Sequence, residues 1–84
     1  MNQNLELDRV HSATERGTQI LDVATGRIAI HRDVFAQVGD WYPTHIEVTL
    51  VDAKGTEYVR QRNTERGAIQ LTEEFFAWPS STGR

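Results

Sequence analysis

Gly26-Arg-Ile28-Ala-Ile30-His-Arg-Asp33-Val-Phe35-Ala36 is echoed by Gly67-Ala-Ile69-Gln-Leu71-Thr-Glu-Glu74-Phe-Phe76-Ala77. Glycine, two aliphatics, an acid, a phenylalanine and an alanine recur in the same order at one constant interval. Upstream, Gly17-Thr18-Gln19-Ile20-Leu21 pairs with Gly55-Thr56-Glu57-Tyr58-Val59 at a slightly shorter interval, and the difference falls in a turn, where length changes are tolerated. The repetition implies two ββα units, each a strand, a turn, a second strand and a short helix.

Working outward from Gly26, Thr18–Val23 reads as a strand and Ala24-Thr25-Gly26 as a turn. Arg27–His31 alternates, with Ile28 and Ile30 on one side and Arg27, Ala29 and His31 on the other. From Arg32 to Val38 the spacing of Val34, Phe35 and Val38 changes to that of a short helix ended by Gly39. Pro43 breaks the loop Asp40–Thr44.

His45–Val51 is the clearest strand, with Ile46, Val48 and Leu50 inward and His45, Glu47 and Thr49 outward. Asp52–Gly55 makes a hairpin turn to a partner strand, Thr56–Arg62. After the polar turn Asn63–Gly67, Ala68–Leu71 reads as a strand with Ile69 and Leu71 inward. Thr72 then caps a last helix that Pro79 ends. The segment Leu5–Val10 fits a short strand and a helical turn equally well. Thr14–Gly17 and Thr64–Gly67 are identical in sequence but out of register with the repeat, and read as coincidence.

The expected architecture is β-rich α+β: a small barrel or curled antiparallel sheet, closed by two short helices through Phe35 and Phe76. It forms one domain over residues 1–84, with 1–4 and 80–84 as frayed ends. A chain of this length buries only about two-thirds of its unfolded surface, so a homodimer would cover what one copy leaves exposed.

Charged residues make up 25% of the chain and hydrophobic residues 38%, values of a globular protein. Cysteine is absent, which removes disulfides and thiolate metal sites. No apolar stretch is long enough to span a bilayer and no signal-peptide pattern opens the chain, so the expectation is a soluble, cytoplasmic protein without membrane contact.

The motifs of reaction chemistry are missing. His11, His31 and His45 show no metal-ligand spacing, so no metal and no cofactor is expected. Asp33 and Glu74, equivalent in the repeat, read as first-turn helix acids rather than a catalytic pair. The expectation is a protein that is not an enzyme.

Two binding chemistries remain. The net charge is −3, yet of the nine basic residues only Lys54 is not arginine, and arginine makes forked contacts to phosphates and guanine edges. Tyr58, Arg60 and Arg62 share one strand face, and such a stripe can follow a phosphate backbone. The other chemistry is aromatic. Trp41 and Tyr42 lie in a loop and Phe75 and Trp78 near the end, where helical phase leaves one of the last two outward as an interface anchor.

The stretch Gly26–Gly39 followed by His45–Gly55 resembles the swapped-hairpin family of transition-state regulators and antitoxins. Gly26, Arg27, Ile28, Ile30, Asp33, Val38 and Gly39 match that family's order, whereas His31 stands where it has proline. His45–Val59 with Gly67–Trp78 also looks like the DNA-binding pseudobarrel of plant hormone-response transcription factors. Both resemblances imply DNA as partner and a small transcriptional regulator or antitoxin-like protein, with Arg27 the best-matched contact and Arg32 after it; Arg60 and Arg62 of the strand stripe complete the expected DNA-contacting set. The alternative is an acidic protein-binding adaptor or inhibitor acting through Trp41, Tyr42, Phe75 and Trp78.

Overall fold

A computed structural model of the chain describes residues 9–79. Five strands follow one another as an antiparallel meander: β1 (Arg9–Thr14), β2 (Gly17–Asp22), β3 (Arg27–Val34), β4 (His45–Val51) and β5 (Glu57–Arg62). Among the described residues one helix, α1 (Glu65–Phe76), closes the order. The sheet runs β1-β2-β3-β4-β5, so every strand pairs with its neighbour in sequence and β1 and β5 are edges. The sheet is therefore open, not closed into a barrel.

Register fixes which side chains share a face, because directly opposed residues of an antiparallel pair project to the same side. Ile20 lies opposite Ala29, Ala29 opposite Leu50, and Leu50 opposite Tyr58. The helix lies on this side. Ala68, Leu71, Thr72, Phe75 and Phe76 form its buried stripe, with the spacing of a 3.6-residue period. They pack against Ala29, Ile46, Val48 and Leu50, with Ile20 at the margin.

The other face carries Ile30 and Thr49 opposite each other, buried to 5% and 4% exposure and not covered by α1. Here the sheet curls. Arg16, in the β1–β2 turn, reaches across to Glu57 at the start of β5, 3.2 Å away. The same tight approach brings Gly17 against β3. A β-carbon on Gly17 would lie 2.2 Å from the His31 carbonyl oxygen, and its φ of +132° suits only glycine.

Three expectations are corrected. The segment Arg32–Val38 is not a helix: β3 runs on to Val34 because Arg32, Asp33 and Val34 continue the ladder with Glu47, Ile46 and His45. Ala68–Leu71 is not a strand but the middle of α1. The N-cap is Thr64, not Thr72, and its hydroxyl accepts from the Gly67 amide at 3.0 Å.

With Arg32–Val34 in a strand and Ala68–Leu71 in a helix, the duplication fails. Phe35 is 42% exposed in a loop, whereas Phe76 is 5% exposed in the core. Asp33 lies on a strand and Glu74 late in the helix, so neither is a first-turn helix acid. Thr49, expected outward, is buried, and Ile69, expected inward, is 48% exposed. Of the ambiguous segment Leu5–Val10, Arg9 and Val10 open β1. Residues 5–8, like the ends 1–4 and 80–84, lie outside the described residues. Among the described residues no helix is long and apolar enough to cross a membrane.

Candidate functional site

The arginines named from the sequence do not converge. Arg27 sits at the start of β3 under the end of α1. Its Nη1 donates to the carbonyls of Phe75 (2.8 Å), Phe76 (3.3 Å) and Trp78 (2.8 Å), and its Nη2 to that of Pro79 (3.2 Å). The last turn of α1 has no basic residue of its own, and Arg27 supplies from the sheet the cation that the negative end of the helix dipole favours. Arg9 adds a second, with its guanidinium 4.8 Å from the Phe76 ring centroid and 3.3 Å from both Asp22 and Glu73.

Arg32 projects from the opposite face, where it pairs with its cross-strand neighbour Glu47 at 3.2 Å. Arg60 and Arg62 stay exposed on β5, each donating to the carbonyl of the preceding residue, and Arg60 lies 6.0 Å from the Tyr58 ring centroid. Of the four, these two present a basic surface.

The aromatics also separate. Phe75 is 1% exposed and belongs to the core, stacked edge-on by Trp78 at 5.3 Å. Trp78 is half-exposed and stands at the Arg27 end of β3. Trp41 and Tyr42 stand beyond its other end, in the β3–β4 loop, and are nearly bare at 89% and 80% exposure. Val38 and Phe35 project from the same loop and are also exposed.

This loop is a built structure. Thr44 closes its neck by donating from its amide (2.7 Å) and its hydroxyl (3.1 Å) to the Val34 carbonyl. Inside it, the Asp40 carboxylate accepts from the Gln37 amide at 3.0 Å and the Asp40 amide donates to the Gln37 carbonyl at 3.2 Å. Gly39, at φ +94°, makes the reversal between them. The loop is closed by its own hydrogen bonds and still leaves four large apolar side chains, Phe35, Val38, Trp41 and Tyr42, exposed to solvent.

Beside the loop, sequence reading missed a groove of about 730 Å³ between α1 and the first three strands. Ile20, Ile46 and Ile69 form its apolar wall, and Pro43 of the loop borders it. Its polar groups include His11, His31, Asp33 and Glu65. Hairpin register brings the histidines together: His11 lies opposite Ile20, and His31 lies opposite Thr18 on the far side of the same strand.

His31 Nε2 lies 2.7 Å from the Thr72 hydroxyl oxygen, and that hydroxyl donates its one hydrogen to the Ala68 carbonyl at 2.9 Å. Burial pushes the His31 imidazole below its usual range and His11 adds to that, while Glu65 and Asp33 oppose it. Among the described residues no cluster of three or more potential ligands could hold a metal ion. The signal for the groove was the strand alternation itself, which places Ala29 and His31 on one side.

In comparisons with known proteins, no protein-family model, no curated protein and no solved structure matches this chain.

Proposed function

We propose that the chain is a non-enzymatic protein-binding module whose contact surface is the β3–β4 loop, with Trp41 and Tyr42 as anchors. The observation that carries this reading is the near-complete exposure of those two rings on a loop held by its own hydrogen bonds. Large aromatics are the residues most often found at the energetic centre of protein interfaces, and a preformed loop loses little entropy when it docks. Exposed apolar clusters of this kind on a small acidic domain have no role in its own core.

A second reading, the DNA-binding regulator implied by the resemblances above, has one specific support. Tyr58, Arg60 and Arg62 line up on the exposed edge strand β5, a stripe that could track phosphates. It is the weaker of the two. Arg27 is engaged by the helix end, Arg32 is paired with Glu47 on the other face, and the net charge is −3.

One pair of experiments separates the readings. Immobilised protein should capture a protein partner that withstands moderate salt, while showing no retention on duplex DNA at about 50 mM salt. Retention on DNA that falls steeply with salt, together with loss of that retention in Arg60→Ala/Arg62→Ala, would put the DNA reading first.

A further inference from the structure

The groove beside the aromatic loop adds chemistry to the proposed contact. Its wall is aliphatic, from Ile20, Ile46 and Ile69, and Ile69 remains 48% exposed although it stands on the helix that covers the core. A residue of that size left half-bare on a concave surface marks room not filled by the domain itself. A smaller cleft of about 150 Å³, floored by Phe76 and Thr72, continues the groove along α1.

The charges in the groove are unbalanced. Asp33, from β3, and Glu65, from the first turn of α1, both bear electrostatically on His31, so all three groups share one neighbourhood. Neither carboxylate has an ion-pair partner among the described residues, where the paired acids are Asp22, Glu47, Glu57 and Glu73. Arg32 also borders the groove, but its guanidinium is held by Glu47. With His31 neutral at pH 7, the groove offers two free negative charges above an apolar wall.

We infer that this groove receives a basic side chain, arginine or lysine, from a linear segment of a protein partner, while the loop aromatics hold the flanking residues. The inference rests on the protein-binding reading and names its partner class. An arginine or lysine fits both halves of the site: its methylene stem lies on Ile20, Ile46 and Ile69, and its charged head reaches Asp33 and Glu65. A phosphate backbone is excluded from this position by the same two carboxylates. Acidification charges His31 beside them and adds repulsion; the charged and titratable groups around it are His11 and Arg9 from β1, Asp33 from β3, and Glu65 and Glu73 from α1.

Selection from a random linear peptide library on the immobilised protein tests this, followed by fluorescence anisotropy of the best synthetic peptide. Enriched peptides should carry arginine or lysine at a fixed position, and replacing that residue by citrulline or glutamine should cost about tenfold or more in affinity. Asp33→Asn/Glu65→Gln, neither of them a core residue, should cost a similar factor, and binding should weaken between pH 7 and about 5. No enrichment, enriched peptides without a basic position, or undiminished affinity in Asp33→Asn/Glu65→Gln would overturn the inference. If Trp41→Ala/Tyr42→Ala abolishes binding while the carboxylate variant keeps it, the loop reading stands and the basic-anchor inference alone is lost. If the carboxylate variant loses binding and the loop variant does not, the reverse holds.

Discussion

Arg27 donates from Nη1 to the main-chain carbonyl of Phe75 at 2.8 Å, and the same guanidinium lies 5.6 Å from the Phe75 ring centroid. A strand residue thus closes the helix end that the chain itself leaves without a basic group, and it ties the most deeply packed aromatic to the sheet. Charged hydrogen bonds to carbonyls are worth roughly 1.5–3 kcal/mol each when shielded, and less where the group is partly solvated, as here. Arg27→Ala should therefore lower unfolding free energy by about 2 kcal/mol. Urea denaturation measures this, and an unchanged midpoint would refute the clamp.

Gly17 gives a sharper test of the sheet's curl. With φ at +132° and the His31 oxygen 2.2 Å from any added β-carbon, Gly17→Ala must shift backbone against backbone. A loss of more than about 2 kcal/mol is expected, combining conformational strain with the clash. Gly39→Ala meets no neighbouring atom, so its cost should be the strain alone, on the order of 1 kcal/mol. Equal losses in the two variants would contradict the close approach of β2 to β3.

The pH dependence follows from His31. Its folded pKa lies below the unfolded value of about 6.5, so the unfolded chain binds the proton first. Stability from this group is complete above about 6.5 and falls as pH drops from there toward the folded pKa. His31→Gln should flatten that part of the stability profile, in the window that opens just below about pH 6.5, relative to the parent. A profile of unchanged slope in that window would show that His31 does not carry it.

The N-cap should behave as an ordinary one. Thr64→Ala removes the acceptor for the Gly67 amide and should cost about 1 kcal/mol, while Thr64→Ser should cost much less. Parallel denaturation curves decide it.

Much of the sheet was legible because alternation is a local signal. His45–Val51, the turn at Asp52–Gly55 and its partner strand needed nothing beyond their own residues. The start of the helix carries two conflicting signals, its local chemistry and its likeness to an upstream strand. Thr64 followed by an acid and a stripe at 68, 71, 72, 75 and 76 is a helix start, yet the likeness of Gly67–Leu71 to Gly26–Ile30 pulled it toward a strand. Identical Thr-Glu-Arg-Gly segments even take different forms. Thr14 accepts from the Arg16 amide and turns a hairpin, whereas Thr64 accepts from the Gly67 amide and starts a helix.

The phase of β3 shows why the groove was invisible. Hydrophobicity picked Ile28 and Ile30 as the core side, but the helix covers Ala29, the smaller residue, because a helix approaches a sheet closely over small side chains. Ile30 is buried too, on the other face. His31 and Arg27 then point toward α1 rather than to solvent. That consequence depends on where the helix docks, which no local pattern contains. The bare aromatics of the loop could be read from composition, but not their separation from Trp78 by the length of β3.

The account stands on Trp41 and Tyr42 as binding anchors rather than stability elements. Trp41→Ala/Tyr42→Ala should leave the unfolding free energy within about 0.5 kcal/mol of the parent, because neither ring packs in the core.

The dissociation constant of a partner captured by the parent, measured for that variant beside Arg60→Ala/Arg62→Ala, is the most direct trial. The loop variant should bind at least about tenfold more weakly while the β5 variant binds as the parent does. Unchanged affinity in a folded loop variant, or a loss confined to the β5 variant, would contradict it.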